Sequence, residues 1–189
     1  MKDEEIIPAA LKVLKEGGVI LYPTDTVWGI GCDATNEKAV EKVFAIKRRS
    51  ESKSLVLLAA DLDMVARYIR EIPSIAIDLV EVNDVPMTIV YPGAMGLAPN
   101  VVAEDGSVGI RIPDHAFCRE LLRRFRRPLV STSANISGEP TPSRFSEITP
   151  EIVSAVDFAV PSRLGKDSTG QPSQILKVGL RGEIEIIRK

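Results

Sequence analysis

The chain has 189 residues, 44% hydrophobic and 26% charged, and its 24 basic and 26 acidic side chains leave a net charge of −2. That length suffices for one domain with its own core and no covalent staples, and the near-neutral balance excludes a surface made cationic all over to grip nucleic acid. Two cysteines, Cys32 and Cys118, and one histidine, His115, exclude a disulfide framework and a histidine-ligated metal site.

The acidic start, Met1-Lys2-Asp3-Glu4-Glu5, does not suit a signal peptide. No apolar run approaches the roughly 20 residues that span a bilayer, so the expectation is a cytoplasmic protein with no membrane partner. Ile7, Ala10, Leu11 and Leu14 recur at helical spacing up to the stop at Gly17-Gly18. Val19-Ile20-Leu21-Tyr22 reads as a buried, central strand, and Pro23-Thr24-Asp25-Thr26 breaks it. Asn36 predicts the N-cap of a second helix, with Val40, Val43 and Phe44 on one face and Lys47-Arg48-Arg49 at its end.

Leu55 to Ala59 is the next strand, and Asp61 caps a helix carrying Met64, Val65, Tyr68 and Ile69. A helix follows Pro73, then a strand from Met87 to Tyr91 and a long loop from Pro92 to Ser107. A strand at Val108 to Ile112, a helix to about Arg124 and a strand at Leu129 to Thr132 lead into the polar stretch Ser133 to Pro142. Thr149-Pro150 has the form of an N-cap with proline behind it. A short strand at Phe158 to Val160 and a hairpin of Gln174 to Val178 with Glu183 to Ile187 complete the chain. Strands and helices mostly alternate, which predicts an α/β class with a mixed sheet.

Polar segments interrupt this pattern, and each has a chemical and a bland reading. Thr24-Asp25-Thr26 at a strand end either holds a polar ligand or is a turn bonded to its own backbone. Lys47 to Lys53 places four cations within seven residues. It either neutralises a polyphosphate or is a solvated helix end. Ser131-Thr132-Ser133-Ala134-Asn135-Ile136-Ser137-Gly138 offers compact hydroxyl and amide groups suited to a nucleotide, or to Asx and Ser/Thr turns. Arg111 is a charge in an apolar strand, which calls for an anionic ligand group or an acidic partner. Gly29-Ile30-Gly31-Cys32-Asp33-Ala34 matches a loose dinucleotide string, but it lacks the immediate strand, turn and helix that the string requires. Arg119, Arg123, Arg124, Arg126 and Arg127 form a solvated helix face that is also the best candidate for an RNA contact.

Taken together, Gly17 to Gly31, Lys47-x-Arg49-x-x-x-Lys53, Val108 to His115 and Ser131 to Gly138 resemble the YrdC/YciO family of threonylcarbamoyl-AMP synthases, in order and over about residues 6 to 188. The resemblance implies one YrdC-like domain over 1–189, with a twisted mixed parallel/antiparallel sheet and flanking helices around an open, positively charged cavity. It implies that L-threonine, bicarbonate and ATP give threonylcarbamoyl-AMP and pyrophosphate, for modification of a tRNA adenosine with the help of partner proteins. The alternative within the family is a non-catalytic double-stranded RNA or tRNA binder. By the same resemblance, Thr24, Arg111 and Ser173 hold threonine. Lys47, Arg49, Lys53, Ser107, Ser131, Ser133 and Asn135 hold ATP, and Lys47 and Arg49 serve catalysis. Mg²⁺ is expected on the phosphates from the chemistry.

The chain departs from the family pattern at three points. It has Pro92-Gly93-Ala94-Met95-Gly96 where the family often reads Pro-Gly-Pro-x-Thr, Ser54 where proline is common, and Ser173-Gln174 in place of Ser-Thr. The expectation is a divergent branch.

Overall fold

The computed structural model describes residues 1–49 and 55–189. The first helix, α1 (Asp3–Lys15), buries Ile6, Ala10 and Leu14, one residue per turn on its core face. Strands β1 (Ile20–Tyr22) and β2 (Gly29–Gly31) pair antiparallel, and α2 (Glu37–Lys47) follows. Asn36 caps α2 as expected, its side chain accepting from the Ala39 amide. Arg48 ends the helix in the left-handed conformation.

Strand β3 (Val56–Leu58) and helices α3 (Leu62–Ala66) and α4 (Ser74–Val82) lead to β4 (Met87–Tyr91). Then come β5 (Val108–Arg111), α5 (Ala116–Phe125), β6 (Leu129–Ser133), α6 (Pro150–Ala155), β7 (Phe158–Ala159), β8 (Gln174–Val178) and β9 (Ile184–Arg188).

Among the described residues the strands form one nine-stranded sheet in the order β7-β1-β2-β6-β3-β5-β4-β8-β9. Its parallel pairs are β1–β7, β3–β5 and β4–β8, and the others are antiparallel. The mixed sheet with flanking helices expected from the sequence is thus observed.

Two expectations are corrected, and one strand is added to those expected. The strand at Ile20–Tyr22 is not central but lies second from the β7 edge. It is nonetheless wholly buried, because α1 and β2 cover it. The glycine-rich stretch after it is itself a strand, β2, which no apolar alternation signalled. Gly31 sits where a β-carbon would lie 2.0 Å from the Val130 carbonyl and 2.8 Å from the Tyr22 ring. Its glycines therefore serve close strand packing rather than a phosphate turn. The helix after Asp61 ends at Ala66, so Tyr68 and Ile69 fall beyond it. Asp61 does cap it, through the Met64 amide at 2.7 Å.

Candidate active site

A cavity of about 300 Å³ opens on the middle of the sheet. Ser131 and Ser133 alternate onto one face of β6, and both line the cavity together with Gly29 on β2 and Val56 on β3. Arg111 enters at the end of β5, Arg49 from just past α2, and Arg188 from β9. Ser173, immediately before β8, and Thr26, in the loop between β1 and β2, add hydroxyls. Leu55, Val56, Val27 and Ile175 supply apolar wall.

Arg111 is only 4% exposed. Its Nη1 pairs with Asp25 Oδ1, and its Nη2 donates to Thr24 Oγ1 at 3.3 Å and Thr26 Oγ1 at 3.1 Å. The question left open by the sequence has a double answer. Arg111 has an acidic partner, Asp25, and it also faces the cavity. A buried guanidinium without a counter-charge would be costly, and Asp25, 8% exposed, supplies one. The loop carrying Asp25 is tied in turn to residues 168–170. Ser168 Oγ donates to the Thr24 carbonyl at 2.5 Å, the Thr169 amide to the Asp25 carbonyl at 3.0 Å and the Gly170 amide to the Thr26 carbonyl at 2.7 Å.

Lys47 is buried at 2% exposure. Its Nζ donates to the Ser133 carbonyl at 2.5 Å and the Asn135 carbonyl at 2.8 Å. It stands behind the cavity wall and holds in place the segment that carries Ser131 and Ser133. Burial, and then the nearby Arg49, bring its pKa down to about 8. Burial also lowers the pKa of Arg49 and of Arg188.

The remaining expected residues are distributed as follows. Thr24 is 1% exposed and lies one hydrogen bond behind Thr26, its hydroxyl donating to the Val27 carbonyl at 2.8 Å. Asn135 donates from Nδ2 to the Glu139 carbonyl at 2.8 Å and is 9% exposed. Ser107 turns its hydroxyl to Asp105 Oδ1 at 2.6 Å. Neither Asn135 nor Ser107 is among the residues that line the cavity. Lys53 lies outside the described residues. Arg49, Arg111, Ser131, Ser133 and Ser173 come together on the cavity wall.

Sequence reasoning missed Thr26, Thr141 and Arg188 as lining residues. Thr26 belonged to a segment that had been singled out. Arg188 carried no signal beyond being a cation at the end of an apolar strand. Its Nε and Nη2 donate to the Ser173 carbonyl at 2.9 and 2.7 Å.

The arginines on and just past α5 are engaged by acidic partners. Arg123 and Arg124 pair with Glu120, Arg119 with Asp114, and Arg127 with Asp33. No helix among the described residues is long and apolar enough to cross a membrane.

The Sua5/YciO/YrdC family model, described as telomere recombination, matches residues 12–189. The chain belongs to this family. It is 34% identical to the threonylcarbamoyl-AMP synthase of Pseudoalteromonas translucida (strain TAC 125) over 187 residues, covering 97% of this chain and 98% of that one. Against the threonylcarbamoyl-AMP synthase of Stenotrophomonas maltophilia (strain K279a) the identity is 35% over 175 residues, covering 91% and 93%. The crystal structure of P. abyssi Sua5 complexed with L-threonine superposes with a TM-score of 0.86 at 26% identity, covering 94% of this chain and 52% of that one. The chain therefore spans about half the length of that Sua5 protein, and nearly all of the two bacterial relatives. In this chain serines and arginines line the cavity, while Thr24 and Lys47 support the wall from behind.

Proposed function

We propose that this chain makes threonylcarbamoyl-AMP and pyrophosphate from L-threonine, bicarbonate and ATP, for the threonylcarbamoyl modification of adenosine in tRNA. The observation that carries this reading is the meeting of Arg49, Arg111 and Arg188 with Thr26, Ser131, Ser133 and Ser173 around one cavity. Relatives named for this synthesis match over nearly their whole length.

The chemistry asks for little covalent help. The neutral amine of threonine attacks the carbon of carbon dioxide, which bicarbonate yields by losing hydroxide, and the nitrogen gives up a proton, which the hydroxide takes as water, to leave a carbamate. A carbamate oxygen then attacks the α-phosphorus of ATP, and the bond to the β-phosphate oxygen breaks to release pyrophosphate. Positioning and neutralisation of charge lower such a barrier. Arg111 has three N–H···O bonds recorded to Asp25, Thr24 and Thr26. A guanidinium has five N–H donors, so others remain for the threonine carboxylate. Ser173, on the wall of the same cavity, would serve the amino acid. Arg49 and Arg188, with Lys47 behind the wall and Lys53 from the adjoining segment, would balance the triphosphate. Ser131 and Ser133 would hold the nucleotide, with Asn135 supporting their segment.

Mg²⁺ would supply charge neutralisation on the triphosphate. Among the described residues no group of three His, Cys, Asp or Glu side chains gathers to hold an ion.

The test is pyrophosphate release by the purified chain with ATP, L-threonine and bicarbonate. Release that needs all three is the expected result. Release at background level, beside an active synthase control, would overturn the reading.

A further inference from the structure

We infer that Thr88 is a positioning residue for the amino-acid substrate, aiming the Ser173 hydroxyl proton into the cavity. The inference deepens the proposed function and takes from it the identity of the ligand.

Thr88 lies on β4, a strand that is otherwise apolar, and is 0% exposed. A hydroxyl so deeply buried needs a partner. Thr88 Oγ1 and Ser173 Oγ are 2.8 Å apart, and among the described residues Thr88 Oγ1 has no other hydrogen-bond partner. Two directions are open for the proton between them. If Ser173 donated, the Thr88 proton would be left buried without an acceptor, which is costly. If Thr88 donates, both hydroxyls are satisfied only when Ser173 donates onward. Ser173 lines the cavity, so its proton is offered to an oxygen of whatever the cavity holds.

Neither side chain is free to drift. The Thr88 γ-methyl packs over Gly109, where an added β-carbon would come within 3.3 Å of it. β-Branching restricts χ1 further. Ser173 is gripped from its other side by Arg188, which donates to its carbonyl at 2.9 and 2.7 Å. A serine on a loop would ordinarily sample three rotamers and either hydrogen-bonding sense. Here the contacts with Thr88 and Arg188 select one hydrogen-bonding sense, that of a donor into the cavity that Arg111 also lines. An amino acid presents its carboxylate to Arg111 and has a carboxylate or side-chain oxygen within reach of that donor.

The experiment is calorimetric titration of L-threonine into the wild-type chain and into T88V, T88S, S173A and T88V/S173A. Thermal melts and pyrophosphate release are measured alongside. Valine keeps the shape of Thr88 and removes its hydroxyl. The expected result is about tenfold weaker threonine binding in T88V, near-wild-type binding in T88S, and no additional loss in T88V/S173A over S173A alone. ATP affinity should stay within about twofold, and T88V should melt within a few degrees of the wild type. Equal threonine affinity in T88V and wild type overturns the inference, as does a further loss in the double variant equal to that of T88V. If the wild type binds threonine with the expected pattern but releases no pyrophosphate, the positioning role stands and the synthase reading falls. Failure of the wild type to bind threonine overturns both.

Discussion

Lys47 shows how one side chain can be both structural and electrostatic. Its ammonium bridges the Ser133 and Asn135 carbonyls, which offsets part of the cost of burying it. Burial still lowers its pKa from 10.5 to about 8. The signs for stability and activity differ. Below pH 8 the group is protonated in both folded and unfolded chains, and the burial cost is felt in full. Between about 8 and 10.5 the unfolded chain binds more protons, so this group makes stability rise with pH. The positive charge that Lys47 places behind the cavity wall is lost over the same range. The expected outcome is a kcat/KM for ATP that falls above about pH 8 by up to about tenfold per pH unit, with no parallel loss of Tm from this group. A pH–rate profile checks it, and Lys47→Arg should remove the inflection because arginine keeps its charge. Lysine at the end of a helix was legible as a cation in the sequence. Its place behind the wall was not, because that depends on a carbonyl pair 86 and 88 positions away.

At the scale of elements, β2 is the clearest case of a segment that the sequence conceals. A strand of Gly-Ile-Gly offers no alternation and little β propensity. It exists because β1 and β6 flank it and pair with it on both sides. The space at Gly31 is closed by the Val130 carbonyl and the Tyr22 ring. Gly31→Ala should therefore cost about 3 kcal/mol through overpacking, seen as a Tm lowered by roughly 6–12 °C. A melt within about 2 °C of the wild type would mean that β2 can shift without penalty. By contrast, α2 was readable in advance. Its Asn36 cap, its buried Val40, Val43 and Phe44, and its basic end are all local signals.

Across the whole molecule, the pair of Asp25 and Arg111 fastens the loop after β1 to the end of β5, residues 86 positions apart. Their side chains are 12% and 4% exposed, so neither can be relieved by water if the other is removed. Arg111→Met should leave Asp25 buried without its counter-charge and cost about 3–5 kcal/mol, while Asp25→Leu/Arg111→Met should recover most of that loss. Urea denaturation of the single and double variants checks this, and a fully additive double variant would deny the coupling. The basic helix α5 contributes differently. Arg119, Arg123 and Arg124 on it pair with Asp114 and Glu120 at the surface, and Arg127, just past its end, pairs with the buried Asp33; exposed pairs of this kind add little to stability. Its charge is therefore largely balanced at the surface, and it gives the RNA-binding alternative little support.

Local pattern determined the α/β class, the apolar helix faces, the capped start of α2 and the terminal hairpin, because each depends on residues within a turn or a strand of one another. The ordered motifs marked Arg49, Arg111, Ser131 and Ser133, the family resemblance added Ser173, and all five reach one cavity. Only the tertiary structure decided that Thr26 rather than Thr24 forms the surface there, that Asp25 neutralises Arg111, that Arg188 arrives from the sheet edge and that Thr88 stands behind Ser173. Those relations join strands that are neighbours in the sheet but distant in the chain. No periodicity records a partner that strand order alone brings within a hydrogen bond.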